Sequence, residues 1–376
     1  MGTFPVGDNR LEREPGEARA FGRARGVAML RRTTILCALF CACVLTAVTA
    51  PATSALAPPS SGDPQLVSLA GQVLSRSYRE NASVAYVDAS GTRFAHFGAA
   101  DDTEYEIGSL TKTFTAHLFV DAVARGEVRE DTTVGELLPL RGAPVADVTL
   151  LELASHTSGL AQFPMTTDTV VAVGHWMSAT NPFTYGREAL LQQVQSAQLG
   201  SRGTYAYSTV GFALLGQALA AAVGTDYPSL LRERMLVPLG LSDTWLPLTA
   251  ADLPADATRG FDVLHRSQAP WPLDAYAPAG GLRSMAADMA GYVRQLLDGT
   301  VPGSAAMDQR WIGNTYRALT WSVVPFEGGE YTLHGGATGG FQCTVVLDRR
   351  GERGLVILTN TIGGLEQQGL DILSSL

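Results

Sequence analysis

Lysine is almost missing from this 376-residue chain: among its 27 basic residues Lys112 is the single lysine and every other is arginine. Arginine keeps its proton at any workable pH, so a chain built this way has little side-chain amine to use as a base, and Lys112 marks a place where one is kept. Cysteine is nearly as scarce. Cys37, Cys41 and Cys43 fall in one apolar run, which leaves Cys343 alone downstream and excludes an internal disulfide there. That run, Ile35–Ala50, is 16 residues long, short of the roughly 20 that span a bilayer. Runs of Lys and Arg are absent, and the net charge is −9. The first 57 residues hold seven arginines against four acids, so the remainder is strongly acidic. These features argue against a nucleic-acid partner. The sequence has no Gly-x-Gly-x-x-Gly, no phosphate loop and no Cys/His cluster. His117 and Asp121 stand one helical turn apart without a third ligand, which reads as a surface pair rather than a metal site, and His96, His175 and His265 lie in unrelated segments.

Near the start, Met29-Leu-Arg-Arg32 precedes the apolar run, and Ala55-Leu56-Ala57 offers a small-x-small cleavage signal. Basic, apolar and small residues in that order predict a secretory signal peptide, with Met29 as the true start. An uncleaved anchor is the other reading, and Arg31-Arg32 leaves twin-arginine export open. A secreted or cell-envelope location follows, with membrane contact only if the segment stays. Residues 1–57 are thus an extension and signal, and residues 58–63 a Pro/Ser/Gly linker. Residues 64–376 then form the main domain.

Within that domain the patterns predict a helix over Leu66–Ser77 and a hairpin of Ser83–Val87 and Arg93–Phe97 around Asp88-Ala-Ser-Gly91. Helical patterns dominate from Ser109 to about Gly299, including Arg187–Gln198, Val210–Val223, Ser229–Leu239 and Met285–Leu297. Strands return at Ala318–Val324, Tyr331–Leu333, Phe341–Leu347 and Leu355–Thr359. The expected fold class is α/β: one antiparallel sheet built from both chain ends, covered by the Ser109 helix, with an inserted all-α subdomain over roughly 130–300.

The chemistry centres on Ile107-Gly-Ser-Leu-Thr-Lys-Thr-Phe-Thr115. Residues i and i+3 share a helix face, with Cβ atoms about 5–6 Å apart, so Lys112 can reach Ser109 in a Ser-x-x-Lys pattern. At a helix N-terminus a serine is more easily ionised. Taken alone, an N-cap serine and a solvated lysine fit as well. Tyr207, in Tyr205-Ala-Tyr207-Ser-Thr209, is a second proton carrier if nearby positive charge lowers its pKa; the plainer reading is an aromatic at the start of a buried helix. His334-Gly-Gly-Ala-Thr-Gly-Gly340 is either a strand edge open to an extended peptide and a developing oxyanion, or a glycine-rich hairpin loop. His156, in Ser155-His-Thr-Ser-Gly159, reads as a residue that braces a loop.

Together these segments resemble the serine beta-lactamase and penicillin-recognising peptidase superfamily, in its class C and D-alanyl-D-alanine carboxypeptidase branch, over residues 64–376. Ser109-x-x-Lys112, Tyr207-Ser-Thr209 and His334-Gly-Gly336 stand for that family's three motifs. Thr149–Leu160 and Pro278–Ser284 support the match. The resemblance implies Ser109 as the nucleophile of an acyl-enzyme, with Lys112 and Tyr207 sharing the base work. It also implies an oxyanion hole from the N–H groups of Ser109 and Ala337, and no metal or organic cofactor. Thr209 in place of asparagine, Gly335 in place of threonine and His334 in place of lysine alter the substrate-recognition positions, and His334 makes the local positive charge pH-dependent. An exported serine hydrolase on D-amino-acid peptides or small esters and amides is therefore expected, including carboxypeptidase action on cell-wall peptides. The alternatives are a beta-lactamase and a penicillin-recognising sensor that does not turn over.

Overall fold

The computed structural model describes residues 59–163, 178–313 and 315–376. The expected signal segment lies outside these residues. Seven strands form one antiparallel sheet: β1 (Ser60–Gly62), β2 (Ala82–Asp88), β3 (Gly91–Phe97), β4 (Ser322–Phe326), β5 (Gly329–Ala337), β6 (Gln342–Asp348) and β7 (Arg353–Thr359). Their order is β1-β3-β2-β7-β6-β5-β4, so the two chain ends meet where β2 pairs with β7. Alternate residues of β2 face opposite sides, as the period of a strand requires. Val84 and Tyr86 join a core with Leu66, Ala70, Ile372 and Leu373, while Ala85 and Val87 join the larger core shared with the helices.

The Ser60–Gly62 stretch, expected as linker, is an edge strand on β3. Its Ser and Gly residues carry no apolar alternation, and pairing there comes from the free backbone edge of β3. The sheet's cover also differs from expectation. The Ala286–Leu297 helix, placed by sequence in the helical subdomain, packs on β2 and β7, and the Pro64–Leu74 and Glu366–Ser375 helices cover the other face. The Thr111–Ala124 helix that follows Ser109 packs instead among the Thr209–Ala222 and Ala277–Gly280 helices. It is buried nearly all round at its N-terminal half, which suits a helix inside a core rather than on a sheet surface. His117 on it is fully buried, with Nδ1 2.9 Å from the Gly303 carbonyl oxygen, and is no surface residue.

Two strands shift from their expected bounds. Ala318–Trp321 is buried but irregular, and pairing starts at Ser322. At the other end β5 runs on through His334-Gly-Gly-Ala337, because each of these residues stays in register with β6 from Val345 to Gln342. The glycines therefore belong to a strand and not to a loop. Since β4 reaches only as far as Leu333, the far edge of residues 334–337 is unpaired within the sheet.

Candidate active site

A short 3₁₀ turn, Gly108–Leu110, carries Ser109 into the Thr111–Ala124 helix. This turn lies directly against the open end of β5. Gly108 has φ +48°, and a Cβ on it would stand 2.6 Å from the Ala337 carbonyl oxygen and 2.7 Å from the Ala337 nitrogen. Glycine is required there both for the left-handed backbone and for the close approach. From below, the buried Cys343 thiol donates to the Ile107 carbonyl oxygen at 3.2 Å. Beside it the fully buried Arg283 binds Glu104 and Glu106, and Glu106 Oε1 accepts from the Trp271 backbone N–H at 2.8 Å. A buried guanidinium shared by two carboxylates fixes the strand that leads into Ile107.

Lys112 is completely buried, with Nζ 3.0 Å from Ser109 Oγ and 2.7 Å from the Ala279 carbonyl oxygen. Ala279 lies within the Pro278–Ser284 segment singled out in the sequence. Burial with no carboxylate partner pushes the ammonium down to about 7, because desolvation penalises the charged form. At neutral pH a large share of the amine is therefore free to accept a proton from the one serine beside it.

Tyr207 lies near enough to Ser109 for the serine hydroxyl to favour its ionised form. The Lys112 nitrogen lies 5.0 Å from the centre of its ring. Here the sequence expectation fails in one respect: burial raises the phenol's pKa, and this outweighs the lowering influence of the Ser109 hydroxyl. Tyr207 is a neutral phenol at rest, fit to relay a proton, while Lys112 is the group poised to hold one. His156, read from sequence as a loop brace, stacks on Tyr207 with ring centres 4.4 Å apart. It adopts φ 59°, and its Nδ1 accepts from the Ser208 N–H at 3.0 Å. That bond ties the ring to the start of the Thr209–Ala222 helix and so fixes the Tyr207 backbone.

The direction of the Ala337 N–H follows from strand geometry. Thr338 N–H donates to the Phe341 carbonyl at 3.0 Å, which makes 338/341 a hydrogen-bonded pair. In an antiparallel ladder the next pair, Ala337/Gln342, is then non-hydrogen-bonded. Ala337 accordingly turns its N–H to the open edge, beside the Ser109 turn.

The recognition positions are less like a cation site than the sequence suggested. His334 is buried, with Nε2 3.0 Å from Thr320 Oγ1, and burial together with the Lys112 charge pushes its pKa to about 3. It is neutral at any physiological pH, so the expected pH-dependent positive charge is not present there. Gly335 turns its side-chain direction the opposite way, where a Cβ would run into the Glu366 carboxylate. Thr209 begins its helix and gives its N–H to the Gln162 carbonyl at 3.0 Å, while no described hydrogen bond links its hydroxyl to Ser109 or Lys112. Sequence reasoning missed Glu366 and Thr320 altogether.

Residues 69–372 match the family model described as Beta-lactamase. The chain belongs to the beta-lactamase family. Members of this family act as serine hydrolases, and this chain is one of them. It is 29% identical over 294 residues to "Penicillin-binding protein 4" of Amycolatopsis lactamdurans, covering 67% of this chain and 71% of that protein. It is 27% identical over 283 residues to "D-alanyl-D-alanine-carboxypeptidase/endopeptidase AmpH" of Escherichia coli (strain K12), covering 71% and 70%. Among solved structures, a class C beta-lactamase superposes with TM-score 0.70 at 21% identity, over 83% of this chain and 95% of the other. "Crystal Structure of Beta-Lactamase/D-Alanine Carboxypeptidase from Pseudomonas syringae" superposes with TM-score 0.68 at 20% identity, over 82% and 98%. These structural likenesses bear on the fold, which is the beta-lactamase-like α/β fold expected from the sequence.

Proposed function

We propose that this family member is an exported serine hydrolase that forms an acyl-enzyme at Ser109 and acts on D-amino-acid peptides or small esters and amides, with carboxypeptidase action on cell-wall peptides as its peptide chemistry. One observation carries the reading: a buried amine with a pKa near 7 lies 3.0 Å from a single serine hydroxyl. In this scheme Lys112 takes the Ser109 proton as Oγ attacks the carbonyl. Backbone N–H groups of Ser109 and Ala337 receive the negative oxygen. Tyr207 passes the proton to the leaving group, and the Lys112/Tyr207 pair then activates water to release the acid. Gly335 and Gly336 on the strand edge, with Thr209 at the start of its helix, would border the place that receives the substrate. The substrate is a small molecule or peptide; nothing in the charge pattern fits a nucleic acid.

Export is supported by the order of basic, apolar and small residues before residue 58. Protein recovered from culture medium or envelope should begin near residue 58; recovery of the intact extension from the cytoplasm would sink that part. For the chemistry, the mature protein is incubated with an ester probe, a D-Ala-D-Ala peptide and a cephalosporin, and Ser109 is followed by mass spectrometry. Transient acylation with product release is expected for the ester or the peptide, and none in Ser109→Ala. Stable modification without release would mark a sensor instead.

A further inference from the structure

Resting on this hydrolase reading, we propose that Arg317, laid on Tyr205, receives a carboxylate of the substrate and so selects peptides with a free C-terminal carboxylate. The argument begins with where that carboxylate cannot go. His334 on β5 is neutral, and the direction of a side chain at Gly335 is taken by Glu366, an anion. The strand edge therefore offers no cation and stands next to a negative charge. Lys112 is spent on Ser109 and the Ala279 carbonyl.

Arg317 lies at the end of a small hairpin formed by Arg310–Ile312 and Thr315–Arg317. Its guanidinium carbon stands 3.8 Å over the centre of the Tyr205 ring. Tyr205 in turn meets His156 edge-on with ring centres 5.9 Å apart, and His156 stacks on Tyr207. The cation is thus three contacts away from Tyr207, by way of Tyr205 and His156. It is partly buried, and its positive charge is felt at His156 alongside that of Lys112.

What makes it a recognition group is its lack of an anion. Among the described residues eleven other arginines form ion pairs, and Arg141, Arg187, Arg232, Arg259 and Arg350, which form none, are exposed to water. Arg79 and Arg294, which are not exposed, form none but spend their donors elsewhere, Arg79 on the carbonyls of Thr361, Gly363 and Gly364 and on Gln368, and Arg294 on the carbonyls of Asp88 and Gly91. Arg317 has only the Ala318 carbonyl at 3.1 Å and the face of the Tyr205 ring, with no carboxylate in ion-pair range among the described residues. A partly desolvated guanidinium stacked on one face keeps its planar fork of donors for a bidentate acceptor, which a carboxylate fits.

The test uses competition against hydrolysis of a small neutral ester by the mature protein. N-acetyl-D-alanyl-D-alanine and its C-terminal amide are compared as inhibitors, in wild type, Arg317→Gln and Arg317→Lys. The acid should inhibit about tenfold more strongly than the amide in wild type. That preference should vanish in the Gln variant and return in part in the Lys variant. The ratio is read within each protein, so a change in ester rate cancels. Equal inhibition by acid and amide in wild type, no inhibition by either, or a preference that survives Arg317→Gln would overturn the proposal. Failure of wild type to hydrolyse the ester at all would instead overturn the hydrolase reading on which it rests.

Discussion

Gly336 of β5 lies so close to the Ser109 turn that a methyl group on it would run into the Ile107 carbonyl oxygen and stand 2.9 Å from the Leu110 nitrogen. The strand edge and the Ser109 turn are in backbone contact, with nothing between them to yield. This contact sets the distance between the Ser109 hydroxyl and the Ala337 N–H.

Gly336→Ala should therefore separate the two. A displacement of about 1 Å at a reacting centre can cost on the order of a hundredfold in rate, while overpacking costs about 1–3 kcal/mol in stability. The variant should fold with a lowered Tm and lose most ester hydrolysis. Unchanged kcat at wild-type levels would show that the contact does not position the turn.

The pH profile should report Lys112. With its pKa near 7, kcat/KM should rise with pH about that value with unit slope, as the free amine appears, and level off above it. Lys112→Arg should abolish the reaction, since a guanidinium cannot accept the proton. Lys112→Met should abolish it too, yet raise Tm at neutral pH. The sign follows from the depressed pKa: the folded state resists protonation, so this amine lowers stability as pH falls from about 10.5 to about 7. A lower Tm for Lys112→Met would contradict that account.

Acid should weaken the fold through buried neutral histidines. Burial lowers His117 to about 4 and His334 to about 3, and pushes His156 well below its ordinary 6.5. Their unfolded forms bind protons below 6.5 while the folded forms do not, so stability falls as pH drops from 6.5 towards 4. At about 1.4 kcal/mol per pH unit per group, three groups make the effect several kcal/mol. Urea midpoints at pH 7 and pH 5 should differ clearly; equal midpoints would mean that these rings are charged in the folded protein.

Glu366 should hinder substrates that bring an anion to the strand edge. Benzylpenicillin carries a carboxylate, so wild type should acylate slowly compared with a small activated ester. Glu366→Gln should speed penicillin acylation severalfold by removing a like charge. No change, read by mass spectrometry of Ser109, would show that the carboxylate does not approach Gly335.

The sequence showed the Ser109/Lys112 pair because both lie on one helical turn, where spacing alone implies contact. Tyr207 and His334 were legible only in company, since neither segment specifies its neighbours. Arg317, Thr320 and Glu366 were not, because the residues they face come from sheet register and from a hairpin laid beside the site. The Glu366–Ser375 helix went unread: its apolar face amounts to Leu370, Ile372 and Leu373 in a short terminal segment. His334 was read as a titrating cation, and only its burial against Thr320 and Trp321 reveals a neutral ring.

The pairing of β2 with β7 has a consequence for biosynthesis. Strands made some 270 residues apart must meet before the sheet has a middle, and such long-range pairing is slow to form. On a ribosome the β2–β3 hairpin waits, unpartnered on one side, until the final segment has emerged. A chain stopped before Arg353 would keep its serine, amine and phenol and still lack the sheet that brings them to one place.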